Sequence, residues 1–275
     1  MSAIIHQIIY KFISVVLSVL AIFGFSSDYL KADTTDWNTN YKYVFVHGLM
    51  GWGSYDATYK LMPYWGMFGG DLMEYLNEKG FDCYAASVAP TSSAWDRACE
   101  LYAQLTGTVV DYGKAHSEEF GHERYGEDYT GRALIDSFSE KDKINLLGHS
   151  FGGATVRLFA SIMETGSEAE KAVTPEEELS GFFKGGKGDW IYSITSLAAP
   201  HNGTTAYNSG DGSENIPARD TAAYDMYIDN AFDLNETIIT YSDTFYFSIA
   251  CDATKQNDDG TYSPVISKME PIFLS

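Results

Sequence analysis

KINLLGHSFGGATVRLFASIM, residues 143–163, reads as a strand, a turn and a helix in immediate succession. Lys143 to Leu147 (KINLL) is a short apolar β run, and Ala154 to Met163 (ATVRLFASIM) has the length and composition of a buried helix. Between them, Gly148-His149-Ser150-Phe151-Gly152 fits the pattern G-x-S-x-G. A turn this tight leaves no room for side chains at Gly148 and Gly152, and it forces Ser150 into strained backbone geometry. The strain lifts the Ser150 hydroxyl above the end of the strand. The next helix aims its N-terminus at the same point, where it favours developing negative charge. Alone the pentapeptide is weak evidence, and a chance Gly-Ser turn is the alternative. Its place between strand and helix makes it the setting of a nucleophile.

Outward from this elbow the same alternation continues. Tyr43 to Val46 (YVFV), Phe81 to Val88, Trp190 to Leu197 and Thr244 to Ala250 read as strands. Gly70 to Lys79 spaces Leu72, Met73 and Leu76 along one helical face and stops at Gly80. Ser92 or Ser93 can cap a helix running through Trp95, Ala98, Leu101 and Leu105. Strands separated by helix-sized segments imply an α/β fold, a mainly parallel sheet with helices on both faces. The stretches 111–132 and 202–220 lack periodicity and read as long loops. The charged stretch 164–189 reads as a solvated surface insertion.

The length of 275 residues suits one large α/β domain. A formal net charge of −20 argues against electrostatic binding of nucleic acid or anionic membrane, and otherwise says only that the surface is soluble. Cys83, Cys99 and Cys251 form no Cys-x-x-Cys and cannot all pair, so buried free thiols are expected. Phe12 to Phe25 is an uncharged apolar run preceded by Lys11. It is short for a membrane span and fits the core of a secretory signal, with residues 1–32 removed and 33–275 as the mature domain. An uncleaved anchor is the alternative. Secretion is therefore the expected localisation.

Acyl transfer needs two backbone N–H groups to hold the oxyanion. Phe151, the residue after the nucleophile, supplies one. The second is expected from the loop after an early strand, and Leu49 in His47-Gly48-Leu49 stands there, directly after YVFV. His47 precedes the serine, whereas chains with this elbow run Ser, then acid, then His, so His47 is read as a brace for the loop.

HGLMGWG (47–53), YWGMFGG (64–70), SSAWDRACELYAQL (92–105), GTVVDYGKAH (107–116), GHERYG (121–126), GHSFGG (148–153), FFKGGKGDWIYSITSLAAPHNGTT (182–205) and RDTAAYDM (219–226) together resemble the bacterial family I.5 true lipases. These include thermoalkalophilic bacillus enzymes and their staphylococcal and clostridial relatives. The resemblance covers about residues 41–275 apart from insertions. It implies the α/β-hydrolase fold and triacylglycerol lipase or carboxylesterase activity. It also implies a structural zinc site formed by Asp96, His116, His122 and Asp220, with the zinc-binding insertion around 107–132. Two imidazoles and two carboxylates suit four-coordinate zinc, and such a closed set leaves no position for substrate. From the residues alone, His116 and His122 are better read as solvent-exposed loop histidines, and the zinc site comes only from the resemblance.

The sequence departs from the family pattern in two places. The family's catalytic acid and histidine, and the calcium site beside that histidine, follow the segment resembling EPIFLS (270–275), so the C-terminal part of the fold is expected to be missing. The large helical lid between GTT (203–205) and RDTA (219–222) is reduced to a short loop. His201 follows the first strand after the elbow helix, too early for the base, and is read as a residue beside the cleft. The expected function is thus secreted carboxylester hydrolysis through a Ser150 acyl-enzyme, with the chain as given inactive for want of its acid and base. The expected partners are an ester or lipid substrate, with transient contact at lipid interfaces and no nucleic acid. The alternative is a degenerate, non-catalytic homologue that keeps the zinc site and a hydrophobic cleft as a binding module.

Overall fold

The structure, a computed structural model, describes residues 41–207 and 217–265. Residues 1–32, expected to be a signal, the EPIFLS segment (270–275) and most of the loop expected to stand in place of a lid lie outside the described residues. The chain divides into two units, Asn38–Ala250 and a second made of Met1–Trp37 with Cys251–Ser275.

In the larger unit the chain forms β1 (Lys42–Val46), α1 (Leu72–Glu78), β2 (Cys83–Ala86), α2 (Ala94–Thr106), β3 (Val109–Asp111), α3 (Lys114–Phe120) and β4 (Tyr125–Asp128). It continues with β5 (Ile144–His149), α4 (Phe151–Thr165), α5 (Glu168–Val173), α6 (Gly181–Lys184), β6 (Ile191–Leu197), α7 (Ala222–Asp225), α8 (Ile228–Thr237) and β7 (Phe245–Ile249). In the smaller unit β8 (Thr254–Gln256) and β9 (Tyr262–Pro264) make an antiparallel pair.

The main sheet has the order β2-β1-β5-β6-β7 and is parallel throughout. The chain lays β2 on one side of β1 and β5, β6 and β7 on the other. The order therefore reverses between β1 and β5, and the carboxyl ends of these two strands open the crevice in which α/β sheets bind ligands. Val46 is in register with Gly148, so His47-Gly48 and His149-Ser150 leave the sheet side by side.

Alternation along each strand feeds two cores. Val44, Val46, Leu146 and Ile194 point to the face covered by α2 and α4, where Leu101, Leu105, Phe159 and Met163 are buried. Phe45, Ala85 and Leu147 point to the other face, covered by Met73, Leu72 and Leu76 of α1. Full burial of each large apolar side chain contributes roughly 1.5–3 kcal/mol. α2 starts at Ser93, whose hydroxyl accepts from Asp96 N, and ends at Gly107 in the left-handed region. α4 begins at Phe151, directly after Ser150 and ahead of the apolar pattern that predicts it.

Two expectations need correction. Residues 111–132 are not only loop, since β3 pairs with β4 and α3 stands between them. Nor is 164–189 a solvated insertion: it holds α5 and α6, and Glu170, Phe182 and Phe183 are each at most 1% exposed. Cys83 and Cys99 are buried free thiols, whereas Cys251 is free and exposed. Among the described residues no helix is long and apolar enough to cross a membrane.

Candidate active site and metal cluster

Ser150 stands at the turn from β5 to α4 with φ 53° and ψ −129°, a sparsely populated region for a residue with a side chain. The glycines explain why the turn can exist. A Cβ on Gly148 would lie 2.3 Å from Gly152 O, and one on Gly152 would lie 2.3 Å from Val46 O. Gly48 comes against the nucleophile itself, where an added Cβ would sit 2.7 Å from Ser150 Cβ and 3.2 Å from its Oγ. The loop after β1 and the elbow after β5 thus touch, and Leu49 and Phe151 each follow one of the touching residues. Among the described residues, no backbone acceptor is found for Leu49 N or Phe151 N.

Three side chains brace this meeting point. Gly48 N donates to Tyr64 Oη at 3.1 Å, and the same oxygen is 2.6 Å from His149 Nδ1, so one phenol ties the loop to the elbow. His47 donates from Nδ1 to Gly48 O at 2.9 Å, and burial beside the Arg97 guanidinium pushes its pKa down to about 3. Arg97, 0% exposed, donates to His47 O, to Ala89 O at 2.8 Å and to Thr155 Oγ1 at 3.0 Å, and lies over the Phe151 ring. His201 is held further along α4, with Nδ1 3.3 Å from Arg157 Nη1 and its carbonyl accepting from Asn235. Burial, with the nearby Arg157 charge, pushes His201 down to about 4, which makes it a poor proton acceptor near neutral pH.

Sequence reasoning did not single out Arg97, Tyr64 or Glu170. Arg97 had a signal: it sits three residues after Ala94 and four before Leu101, on the apolar stripe of α2, where a charge must find internal partners. Tyr64 carries no such mark, because its role depends on two segments that meet only in the sheet.

On the other side of α2 a second cluster forms. Asp96, His116, His122 and Asp220 each offer a ligand atom, and these atoms lie within 4.8 Å of one another. His116 Nε2 is 3.1 Å from Asp96 Oδ1 and 3.3 Å from Asp220 Oδ1, while His122 Nε2 is 3.4 Å from Asp220 Oδ2. Asp96 projects from the first turn of α2, His116 from α3, and His122 just beyond that helix. Asp220 takes a left-handed φ of 60°. Burial opposes a charge on His116, but Asp220 and Asp96 outweigh it and raise the pKa to about 9. The same negative field favours a cation. His122 Nε2 and Asp220 Oδ1 are buried without a well-formed hydrogen bond, as expected of atoms kept for coordination. Trp95 stacks on His116 at 5.1 Å, and the Tyr112 edge meets the His122 ring at 5.5 Å, so the donors sit in an aromatic shell. The donor set fits zinc.

Comparison with known proteins gives a consistent picture. The family model described as "Lipase-like, C-terminal domain" matches residues 39–217. Lipase 2 of Staphylococcus aureus is 38% identical over 189 residues, which is 68% of this chain and 27% of that protein. The lipase of Staphylococcus hyicus is 40% identical over 166 residues, 60% of this chain and 25% of that protein. The chain thus matches about a quarter of the length of these curated relatives. Among solved structures, EstA from Clostridium botulinum superposes with a TM-score of 0.75 at 35% identity, over 86% of this chain and 66% of that one. The S. hyicus lipase superposes with a TM-score of 0.73 at 28% identity, over 83% of this chain and 71% of that one.

Proposed function

Because this chain belongs to the lipase-like C-terminal domain family, among the bacterial family I.5 lipases, we propose that it is a secreted carboxylester hydrolase with Ser150 as its nucleophile. The observation that carries this reading is the strained Ser150 at the β1/β5 crevice with Gly48 packed against it. Ser150 Oγ attacks the ester carbonyl carbon, and the carbonyl oxygen takes the charge facing the N–H groups of Leu49 and Phe151. The carbon–alkoxy bond then breaks, the alcohol leaves with the serine proton, and water hydrolyses the acyl-serine to a carboxylic acid. Triacylglycerols or smaller, more soluble esters are the substrate class.

The base is a separate matter. The chain has six histidines. His116 and His122 belong to the metal cluster. His47, His149 and His201 are each engaged at Nδ1, by Gly48 O, Tyr64 Oη and Arg157 respectively, and burial lowers all three pKa values. His6 lies outside the described residues. In this reading, the described residues supply the nucleophile and the oxyanion donors, and among them no histidine is placed to serve as the base. Asp96, His116, His122 and Asp220 would hold a structural zinc, which ties the 107–132 insertion to α2 and leaves no open position for substrate.

The test is hydrolysis of p-nitrophenyl butyrate by the 275-residue protein. Turnover should fall orders of magnitude below the roughly 10 per second typical of intact enzymes, since triad loss leaves only the contribution of the oxyanion hole and binding. Turnover on the order of 10 per second, abolished by His201→Ala, would overturn the assignment of the base.

A further inference from the structure

Glu170 belongs neither to the acyl-transfer machinery nor to the ligand set, yet it is a carboxylate only 1% exposed. Its close partners are two backbone amides. Oε2 accepts from Ala115 N and Oε1 from His116 N, both at 2.9 Å. These amides lie in the first turn of α3, where no intrahelical acceptor exists.

Local rules would send this side chain elsewhere. Ser167-Glu168-Ala169-Glu170 has the S-x-x-E spacing of a capping box, in which the glutamate reaches back to its own N-cap amide. Ser167 performs its half and accepts from Glu170 N at 3.3 Å. The other half is not made, because Ser167 N donates to Phe183 O at 3.0 Å and the Glu170 carboxylate turns to the neighbouring helix. The N-cap of α3 is Gly113, which has no side chain to cap with. A Cβ there would lie 2.3 Å from Glu170 Oε1, and φ is +95°. The cap that position 113 lacks is delivered from α5 into the space the glycine leaves open.

α3 is seven residues long, between glycines in the left-handed region, and has little stability of its own. It carries His116, whose ring must face Asp96 and Asp220 together. We propose that Glu170 is a positioning residue for the metal cluster, fixing the first turn of α3 so that His116 is presented to the cation. The proposal rests on the metal reading above.

The experiment measures zinc affinity of the purified protein by competition with a chromophoric chelator, for the wild type and Glu170→Gln. Melting temperatures are recorded with zinc and after chelator treatment. Glu170→Gln keeps the volume but turns an N–H donor toward one of the two amides. Zinc affinity should fall about 10- to 100-fold, as when a partner behind a ligand is removed, while the metal-free protein melts close to the wild type. Equal zinc affinity in both proteins would overturn the proposal. So would a fall fully matched by lost metal-free stability, which would make Glu170 a packing residue only. A wild type that binds no zinc would overturn the metal reading itself and this proposal with it. Should Glu170→Gln not fold, amide exchange in metal-free wild type decides. Ala115 and His116 amides should exchange slowly, and exchange at the rate of free first-turn amides would contradict the proposal.

Discussion

Glu100 shows what burying a single ionisable residue costs. Its oxygens accept from Ala89 N at 2.6 Å and from the Tyr112 hydroxyl at 3.0 Å. Burial raises its pKa from 4.5 to about 7, and those two bonds and the Arg97 charge offset this only in part. The native state therefore favours the protonated acid. Its contribution to stability is complete below about 4.5 and is lost as pH rises through about 7. Glu100→Gln keeps the site neutral at every pH. In chelator-treated protein, denaturant unfolding should show the variant equal to the wild type near about pH 4.5 and more stable near about pH 8, by up to about 2 kcal/mol once partial solvent access is allowed for. A variant less stable at the higher pH would mean that the Glu100 charge is stabilising. At Ser150 the cost is conformational: a positive φ is held by glycine clearances at 48, 148 and 152, and the spacing G-x-S-x-G exposes most of that logic in the sequence itself. The bracing by Tyr64 was hidden, because nothing local relates residue 64 to residues 48 and 149.

Among the elements, α2 joins the two sites. Asp96 turns to the metal cluster, and Arg97, the next residue, turns inward to hold His47, Ala89 and Thr155. The strands and α2 were legible because their apolar periods span whole elements. α3, β3 and β4 were not, since each is seven residues or fewer and their placement depends on Glu170, Trp95 and the ligand residues rather than on an apolar stripe. The charged string 164–189 misled for a related reason: its composition hides Phe182, Phe183 and the inward carboxylate of Glu170. The ligand set could be named only through the family resemblance, because four residues from three separate stretches have no spacing rule. At this scale the prediction concerns metal removal. Purified protein should contain about one zinc per chain, and a chelator should lower its melting temperature. Amide exchange should quicken across β3, β4 and the C-terminal end of α3, while the Ala115 and His116 amides held by Glu170, and those of β5 and α4, change little. No zinc, or no effect of chelator on stability, would refute the structural role.

Across the whole molecule, the strand order β2-β1-β5-β6-β7 explains why one crevice collects the chemistry. β1 and β5 are distant in sequence but adjacent in the sheet, and only at their shared end can Gly48 lie against Ser150. A parallel sheet could be inferred from the alternation of elements, whereas the point of reversal could not, since it depends on which strands pair. The histidines complete the argument at this scale: those near the elbow are bonded elsewhere, and the rest surround the metal cluster or lie outside the described residues. The most direct measurement is the rate at which a p-nitrophenyl alkylphosphonate modifies the protein, followed by peptide mass spectrometry from about pH 6 to about 9. A nucleophile at the elbow without a histidine base should give one adduct, on Ser150, at a rate that climbs with pH without a plateau. An adduct on another residue, no adduct, or a sigmoid rate that levels off above about pH 7 would contradict the account.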